Sequence, residues 1–322
     1  MEKRELGRSG ILVAPFALGG NVFGWTVGES AGFEILDAFT LSGFNLIDTA
    51  DVYSTWVSGN SGGESETMIG EWMKKRKNRK NIVIATKVGK PMGPEKKGLS
   101  EKYIRQALES SLKRLQTDYI DLYQSHDDDP SVPMEETLGT YNDLIGEGKI
   151  LAIGASNFTA VRLAKALEIS KANGYARYET FQPPYNLYDR SIENDIQPLC
   201  VQEEIGVIPY FSLASGFLTG KYRNESDLIK SVRGKGILKY LDAKGLKILS
   251  ALDEVSAKYN SSPATMALAW LMTRPAIVAP IASATTVEQL KDLLKAVEIN
   301  LDAESIDLLA GGAKLESQGL KH

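Results

Sequence analysis

The sequence predicts an α/β fold, a (β/α)8 TIM barrel, on three observations. Eight short apolar runs recur along the chain, amphipathic segments separate most of them, and polar side chains gather at the C-terminal ends of the runs. The runs are Ile11–Leu18, Phe44–Ile47, Ile82–Thr86, Ile120–Tyr123, Ile150–Ile153, Thr180–Gln182, Val207–Phe211 and Ile277–Ile281. Several are apolar throughout rather than alternating, as strands buried on both faces of a parallel sheet must be.

Apolar residues three and four apart mark the helices between them: Ile104, Leu108, Leu112 and Leu115; Met134, Leu138, Tyr141 and Ile145; then Val161, Ala164 and Leu167. After a longer gap come Leu246, Leu249, Leu252 and Val255, and finally Val287, Leu290, Leu294 and Val297. A doubly wound open sheet is the alternative. Its dinucleotide-binding version would carry G-x-G-x-x-G after the first strand, where this chain reads Gly19-Gly20-Asn21-Val22-Phe23-Gly24. The 322 residues are expected to form a single domain, 1–322, because barrels with insertions reach this length without dividing. Three longer connections, Ser54–Glu66, Lys90–Leu99 and Ala214–Lys244, follow strands and would wall the active-site face of a barrel.

A hydrophobic content of 43% is enough for a sizeable core, and the net charge of −4 argues against nucleic acid as a partner. The basic run Lys74-Lys75-Arg76-Lys77 reads as a solvated helix terminus. One cysteine, Cys200, excludes an internal disulfide. The opening residues lack the apolar stretch of a signal peptide, and no apolar run approaches the ~18 residues of a membrane span. A cytoplasmic setting is therefore expected, and Asn157-Phe158-Thr159 is a chance sequon. Oligomeric state leaves no mark in the sequence.

The chemistry lies where polar residues interrupt the strand ends: Asp48 after Leu46-Ile47, Lys87 after Ala85-Thr86, His126 after Gln124-Ser125, and Ser156-Asn157 after Ala155. Gln182 and Tyr210 hold the equivalent places on the sixth and seventh strands. Asp48 to Lys87 and Lys87 to His126 each span 39 residues, as a repeating β-α unit requires. Singly, each has a plain structural use as a cap, a solvated cation or a barrel-end hydrogen bond. Together, an acid, a lysine and one of two histidines at one mouth point to a functional site. Tyr53, in the loop over the same mouth, supplies a phenol. An ammonium nearby would stabilise phenolate and bring proton donation down from about pH 10 toward neutrality, with Asp48 pairing Lys87 and His126 orienting the substrate oxygen.

At this point the sequence resembles the aldo-keto reductase superfamily, including its bacterial members and the branch of the potassium-channel β-subunits. The resemblance runs from Leu6-Gly7 to Gln289. Its motifs are Asp48-Thr49-Ala50-Asp51-Val52-Tyr53 with Gly63-Glu64-Ser65-Glu66, Ile84-Ala85-Thr86-Lys87-Val88, and Asp118-Tyr119-Ile120-Asp121-Leu122-Tyr123-Gln124-Ser125-His126. Further matches are Ile153-Gly154-Ala155-Ser156-Asn157-Phe158, Gln182-Pro183-Pro184-Tyr185-Asn186 and Gly216-Phe217-Leu218-Thr219-Gly220-Lys221-Tyr222.

The resemblance implies a barrel with an N-terminal β-hairpin and long loops on its C-terminal face, where NADPH lies extended. It implies reduction of aldehydes or ketones to alcohols, with hydride passing to the carbonyl carbon. Tyr53 would be the acid, Lys87 its modulator, Asp48 the partner of the lysine and His126 the orienting residue. By the same resemblance Ser156, Asn157 and Gln182 would bind the carboxamide, Tyr210 would stack on the nicotinamide, and Leu213, Ser215, Gly216 and Lys221 would follow the pyrophosphate. Ser283, Thr285 and Gln289, with charge from Lys221 or Arg233, would meet the adenosine end. There the sequence departs from the family: Ser283-Ala284-Thr285-Thr286 lacks the usual arginine for the 2'-phosphate, and Leu293 replaces a common asparagine, so NAD remains beside NADP. The seventh strand also lacks the usual proline after serine, reading Tyr210-Phe211-Ser212-Leu213.

Trp25, Trp56 and Tyr185 are expected to wall the substrate pocket and to favour a partly apolar carbonyl compound. Two competing readings fail on chemistry. Gly59-Asn60-Ser61-Gly62-Gly63 matches G-x-S-x-G, but no strand precedes it as a nucleophile elbow requires. His126-Asp127-Asp128-Asp129 offers metal-type ligands, but consecutive loop residues rarely converge, so no metal is expected. A barrel that binds cofactor to sense redox state or dock a partner is the remaining alternative, and the tuned phenol argues against it.

Overall fold

The computed structural model describes residues 1–231 and 234–312. Two short antiparallel strands, β1 (Arg4–Glu5) and β2 (Leu12–Val13), form an N-terminal hairpin. Eight parallel strands follow: β3 (Ala17–Gly19), β4 (Leu46–Asp48), β5 (Val83–Val88), β6 (Ile120–Ser125), β7 (Ile150–Ser156), β8 (Tyr178–Gln182), β9 (Gly206–Val207) and β10 (Ile281–Ala282), in the spatial order β10-β3-β4-β5-β6-β7-β8-β9. Backbone bonds from Val207 N to Ala276 O, Val278 N to Val207 O and Ile281 N to Pro209 O close the ring, so the sheet is a barrel.

Ten α-helices lie among the described residues: α1 (Glu29–Leu41), α2 (Glu64–Arg76), α3 (Glu101–Leu115), α4 (Met134–Gly146), α5 (Ala160–Asn173), α6 (Ile196–Gln202), α7 (Ala243–Lys258), α8 (Pro263–Met272), α9 (Val287–Leu294) and α10 (Ala303–Gly312). Local chemistry sets their ends. Ser100 caps α3 by accepting from Tyr103 N, and Gln116 ends it in a left-handed conformation. Ser262 caps α8, with Pro263 in its first turn.

Two apolar layers hold the barrel. Leu46, Val83, Ala85, Leu122 and Ala152 fill its interior, with Leu6 and Val13 of the hairpin packed against them. Ile47, Ile84, Tyr123 and Ile153 face the other way, toward the helices. This alternation of period two decides where the polar residues fall. Continuing the inward series on each strand reaches Asp48, Lys87, Gln124, Ser156 and Gln182, a polar tier stacked on the apolar one at the C-terminal mouth.

The structure divides some of the expected elements. Ile11–Leu18 is two strands rather than one, because the chain leaves the hairpin and turns at Pro15 before entering the barrel. Val207–Phe211 and Ile277–Ile281 form little ladder, since Pro209 and Pro280 have no N–H to give it. In α5 the buried face is Leu163, Ala166 and Ile169, and Val161 is exposed. Leu246 of α7 is also exposed, while Leu249, Leu252 and Val255 are buried. Helix α8 is buried nearly all round, so it carries no amphipathic stripe to betray it. No helix among the described residues is long and apolar enough to cross a membrane.

Candidate active site

Lys87, fully buried on β5, organises the mouth. Its ammonium donates all three protons: to Asp48 Oδ2, to the backbone oxygen of Thr49 and to the Tyr53 hydroxyl, each at 2.8 Å. Asp48 is oriented from its other side by Gln182 Nε2, which donates to Oδ1 at 2.8 Å. The Tyr53 hydroxyl lies 3.2 Å from Asp48 Oδ2. Acid, lysine and phenol therefore converge as the strand ends suggested. His126 joins them from the end of β6, its ring centroid 6.2 Å from that of Tyr53.

The electrostatics differ from expectation at one point. Burial and the Asp48 carboxylate raise the Tyr53 phenol well above its usual range, where the sequence reading placed it lower. The ammonium of Lys87 is itself pulled down by burial, against the pull of Asp48. Tyr53 is thus held in its neutral, protonated form. Burial, with the charges of Lys87 and Lys90, lowers His126 far below the usual imidazole range, so it is neutral at physiological pH. Its Nδ1 is enclosed with no partner among the described residues.

A cavity of about 980 Å³ opens over this group. Its walls include Asp48, Tyr53 and His126 together with Ser156, Asn157, Gln182, Tyr210, Leu213, Ser215, Gly216, Lys221, Ser283, Thr285 and Gln289. One continuous space therefore joins the expected reacting group to the expected cofactor residues. Arg233 lies outside the described residues. Asn157, itself left-handed at φ 59°, ties the wall together: its Nδ2 donates to His126 O and Asp127 Oδ1, and its Oδ1 accepts from Tyr210 OH. Ala214, Ser215 and Gly216 have successive positive φ values of 47°, 59° and 100°, a left-handed curl in which the N–H groups of Ala214 and Gly216 donate back to Phe211 O and Leu213 O. At the far end Gln289 Oε1 accepts from both the N–H and the hydroxyl of Thr285, each at 3.0 Å.

Of the three expected pocket aromatics, only Trp56 lines the cavity. Trp25 stands behind it in an edge contact, with centroids 5.7 Å apart. Tyr185 is a correction: it is fully buried, its hydroxyl bonded to Glu193 and its ring against Trp270, because past the Pro183-Pro184 turn the ring faces the outer core rather than the mouth. Other wall residues went unread. Asn21, which accepts from Ser283 Oγ, follows the glycine pair that failed the dinucleotide pattern. Gln124 on β6, which accepts from Gln182 Nε2 at 3.3 Å, also went unread as a partner of that amide. Lys90, paired with Asp127 at 3.0 Å, borders the cavity beside His126.

Ser61 lies in a turn between left-handed Gly59 and Gly62, with no strand before it, so no nucleophile elbow exists there. Asp127, Asp128 and Asp129 diverge to Lys90, Arg162 and Ser131, and no group of metal-type ligands converges among the described residues.

Known proteins resemble the chain over nearly its whole length. Residues 15–311 match the model of the aldo/keto reductase family. The chain is 36% identical over 318 residues to the oxidoreductase YrpG of Bacillus subtilis (strain 168), covering 96% of this chain and 95% of that protein. It is 32% identical to protein Tas of Escherichia coli (strain K12), covering 96% of each. Identity to an aryl-alcohol dehydrogenase [NADP(+)] of Phanerodontia chrysosporium is 30%, over 93% of this chain and 82% of that one. With the match spanning nearly every strand and helix described, the chain belongs to the aldo/keto reductase family of oxidoreductases.

Proposed function

We propose that the chain reduces aldehydes or ketones to alcohols, reversibly, with Tyr53 as the proton donor and NADPH or NADH as the hydride source. The observation that carries this reading is the Tyr53 hydroxyl, 2.8 Å from a fully buried lysine and bordering the large cavity.

The cavity suits an extended dinucleotide. At its deep end Gln182 directs its amide nitrogen to Asp48, leaving its carbonyl oxygen as the end for a ligand, beside Ser156 and Asn157. Tyr210 offers an aromatic face. Ser215, Gly216 and Lys221 border the same space, where the lysine offers charge for a pyrophosphate and nothing crowds Gly216. Reduced nicotinamide, when bound, supplies the hydride.

Everything else falls to the chain. Tyr53 gives its proton to the carbonyl oxygen. An alkoxide forming there is far more basic than a phenolate, so even a phenol raised by burial donates downhill. The electron pair left on the Tyr53 oxygen then faces the Lys87 ammonium, a charge-assisted contact that strengthens as the proton leaves. Asp48 and Thr49 O keep that ammonium aimed. Neutral His126 can donate to the same carbonyl oxygen and fix its place above Tyr53. Trp56, backed by Trp25, favours an aromatic or otherwise flat apolar substrate. The relative named for aryl alcohols and NADP(+) supports the same substrate class and cofactor.

The test is oxidation of NADPH and NADH with a panel of aromatic aldehydes. Turnover is expected; tight cofactor binding with no turnover would favour a sensor instead. Cofactor choice has its own check. Thr285→Arg brings a guanidinium to the cavity's exposed end, and the NADPH-to-NADH ratio of kcat/KM is expected to rise about tenfold or more. An unchanged ratio would place the 2'-phosphate elsewhere.

A further inference from the structure

Behind the reacting group, on the helix side of the barrel wall, lies a second set of charges that the reduction does not consume. Asp51, in the turn between Asp48 and Tyr53, is 2% exposed. Neither of its carboxyl oxygens has a side-chain hydrogen-bond partner among the described residues, and the one group that favours its charged form by hydrogen bonding is the backbone N–H of Val52 beside it. Its backbone N–H donates to Lys87 O at 3.3 Å, which ties it to the strand that carries the lysine. The charged and titratable groups that face it are Glu66 from α2, Arg114 and Tyr103 from α3, Lys87 from β5, Tyr123 from β6 and Tyr141 from α4.

None of these neighbours satisfies it. Arg114 is committed to Glu66 at 2.7 Å, and Glu66, itself fully buried, also accepts from Thr86. All three protons of Lys87 are in use. Three carboxyl groups, Asp48, Asp51 and Glu66, therefore share two cations. A third negative charge, sealed from water and unpaired, is costly, and taking up a proton removes it. Burial, with the Glu66 charge beside it, pushes Asp51 up to about 8.

We propose that Asp51 is a positioning residue for the reduction: a carboxylic acid that keeps its proton at neutral pH, so that the only new negative charge Lys87 must balance is the phenolate of Tyr53. The inference rests on the reductase reading above. In the step itself the Tyr53 O–H bond breaks, the proton joins the carbonyl oxygen, and the electron pair stays on the phenol oxygen. With Asp51 ionised, that phenolate forms in a region already carrying excess negative charge, and reduction slows.

The experiment follows kcat for reduction stepwise from about pH 7 to about pH 9, each profile scaled to its own maximum, in wild type and Asp51→Asn. Wild type is expected to fall several-fold across this range, and the fall is expected to vanish in the variant. A fall at unchanged pH in Asp51→Asn overturns the proposal. So does a fall moved to lower pH, the result if Lys87 is the titrating group, because removing a nearby negative charge makes an ammonium easier to deprotonate. Infrared difference spectra of the intact wild-type chain give a second readout that needs neither variant nor turnover. A protonated carboxyl band present at neutral pH and lost at alkaline pH is expected, and its absence at neutral pH overturns the proposal. Wild-type protein that shows the band but reduces no carbonyl overturns the functional reading instead.

Discussion

Tyr53→Phe is expected to lower kcat for carbonyl reduction by about 100- to 10,000-fold, the usual contribution of a positioned general acid. Cofactor affinity should change little. The substitution removes one oxygen and leaves the ring, with its edge contact to Trp56 and the cavity wall it forms. Lys87 loses one of its three acceptors but keeps Asp48 and Thr49 O, so the buried ammonium stays paired. Single-turnover reduction at saturating cofactor, alongside a direct binding titration, separates the two quantities. Near-normal turnover would show that the proton comes from elsewhere, with His126 the first group to examine.

Lys87→Met should be costly in two ways. Activity falls because the phenolate left on Tyr53 has no counter-charge, and a loss comparable to that of Tyr53→Phe is expected. Stability falls because Asp48, 2% exposed, keeps Gln182 but loses its cation. Breaking a buried pair from one side typically costs about 3–5 kcal/mol. The deficit should shrink when Asp48→Asn is added to Lys87→Met, since an amide at position 48 needs no counter-charge. Thermal melts of wild type, the single variant and the double variant would show this. A constant difference would mean that lost packing of the long lysine stem, rather than charge, sets the cost.

The barrel and the convergence of its candidate site were legible in the sequence for one physical reason. Strands buried on both faces are uniformly apolar, so a polar residue at a strand end stands out, and alternation of period two sends each such residue inward. Asp48, Lys87, Gln182 and Ser156 obey that rule, and Tyr53 follows because only a short turn separates it from Asp48. The rest depends on burial, which spacing does not record. Tyr185 and Trp56 are both aromatics in segments that follow strands, yet one packs against Trp270 and the other faces the cavity. The upward displacement of Tyr53 arises from how deeply its hydroxyl is enclosed beside Asp48. Val161 and Leu163 both fit an apolar spacing on α5, and the packing of that helix against the barrel decides which is covered.

The bond from Gln182 to Asp48 links residues 134 positions apart and joins the sixth barrel strand to the second. During synthesis Asp48, Tyr53 and Lys87 emerge early, but the clamp that aims the carboxylate cannot close until β8 has been made and docked. A chain cut short before that strand would carry the whole proposed triad and still lack its alignment, so competence arrives late, as a property of the nearly finished ring.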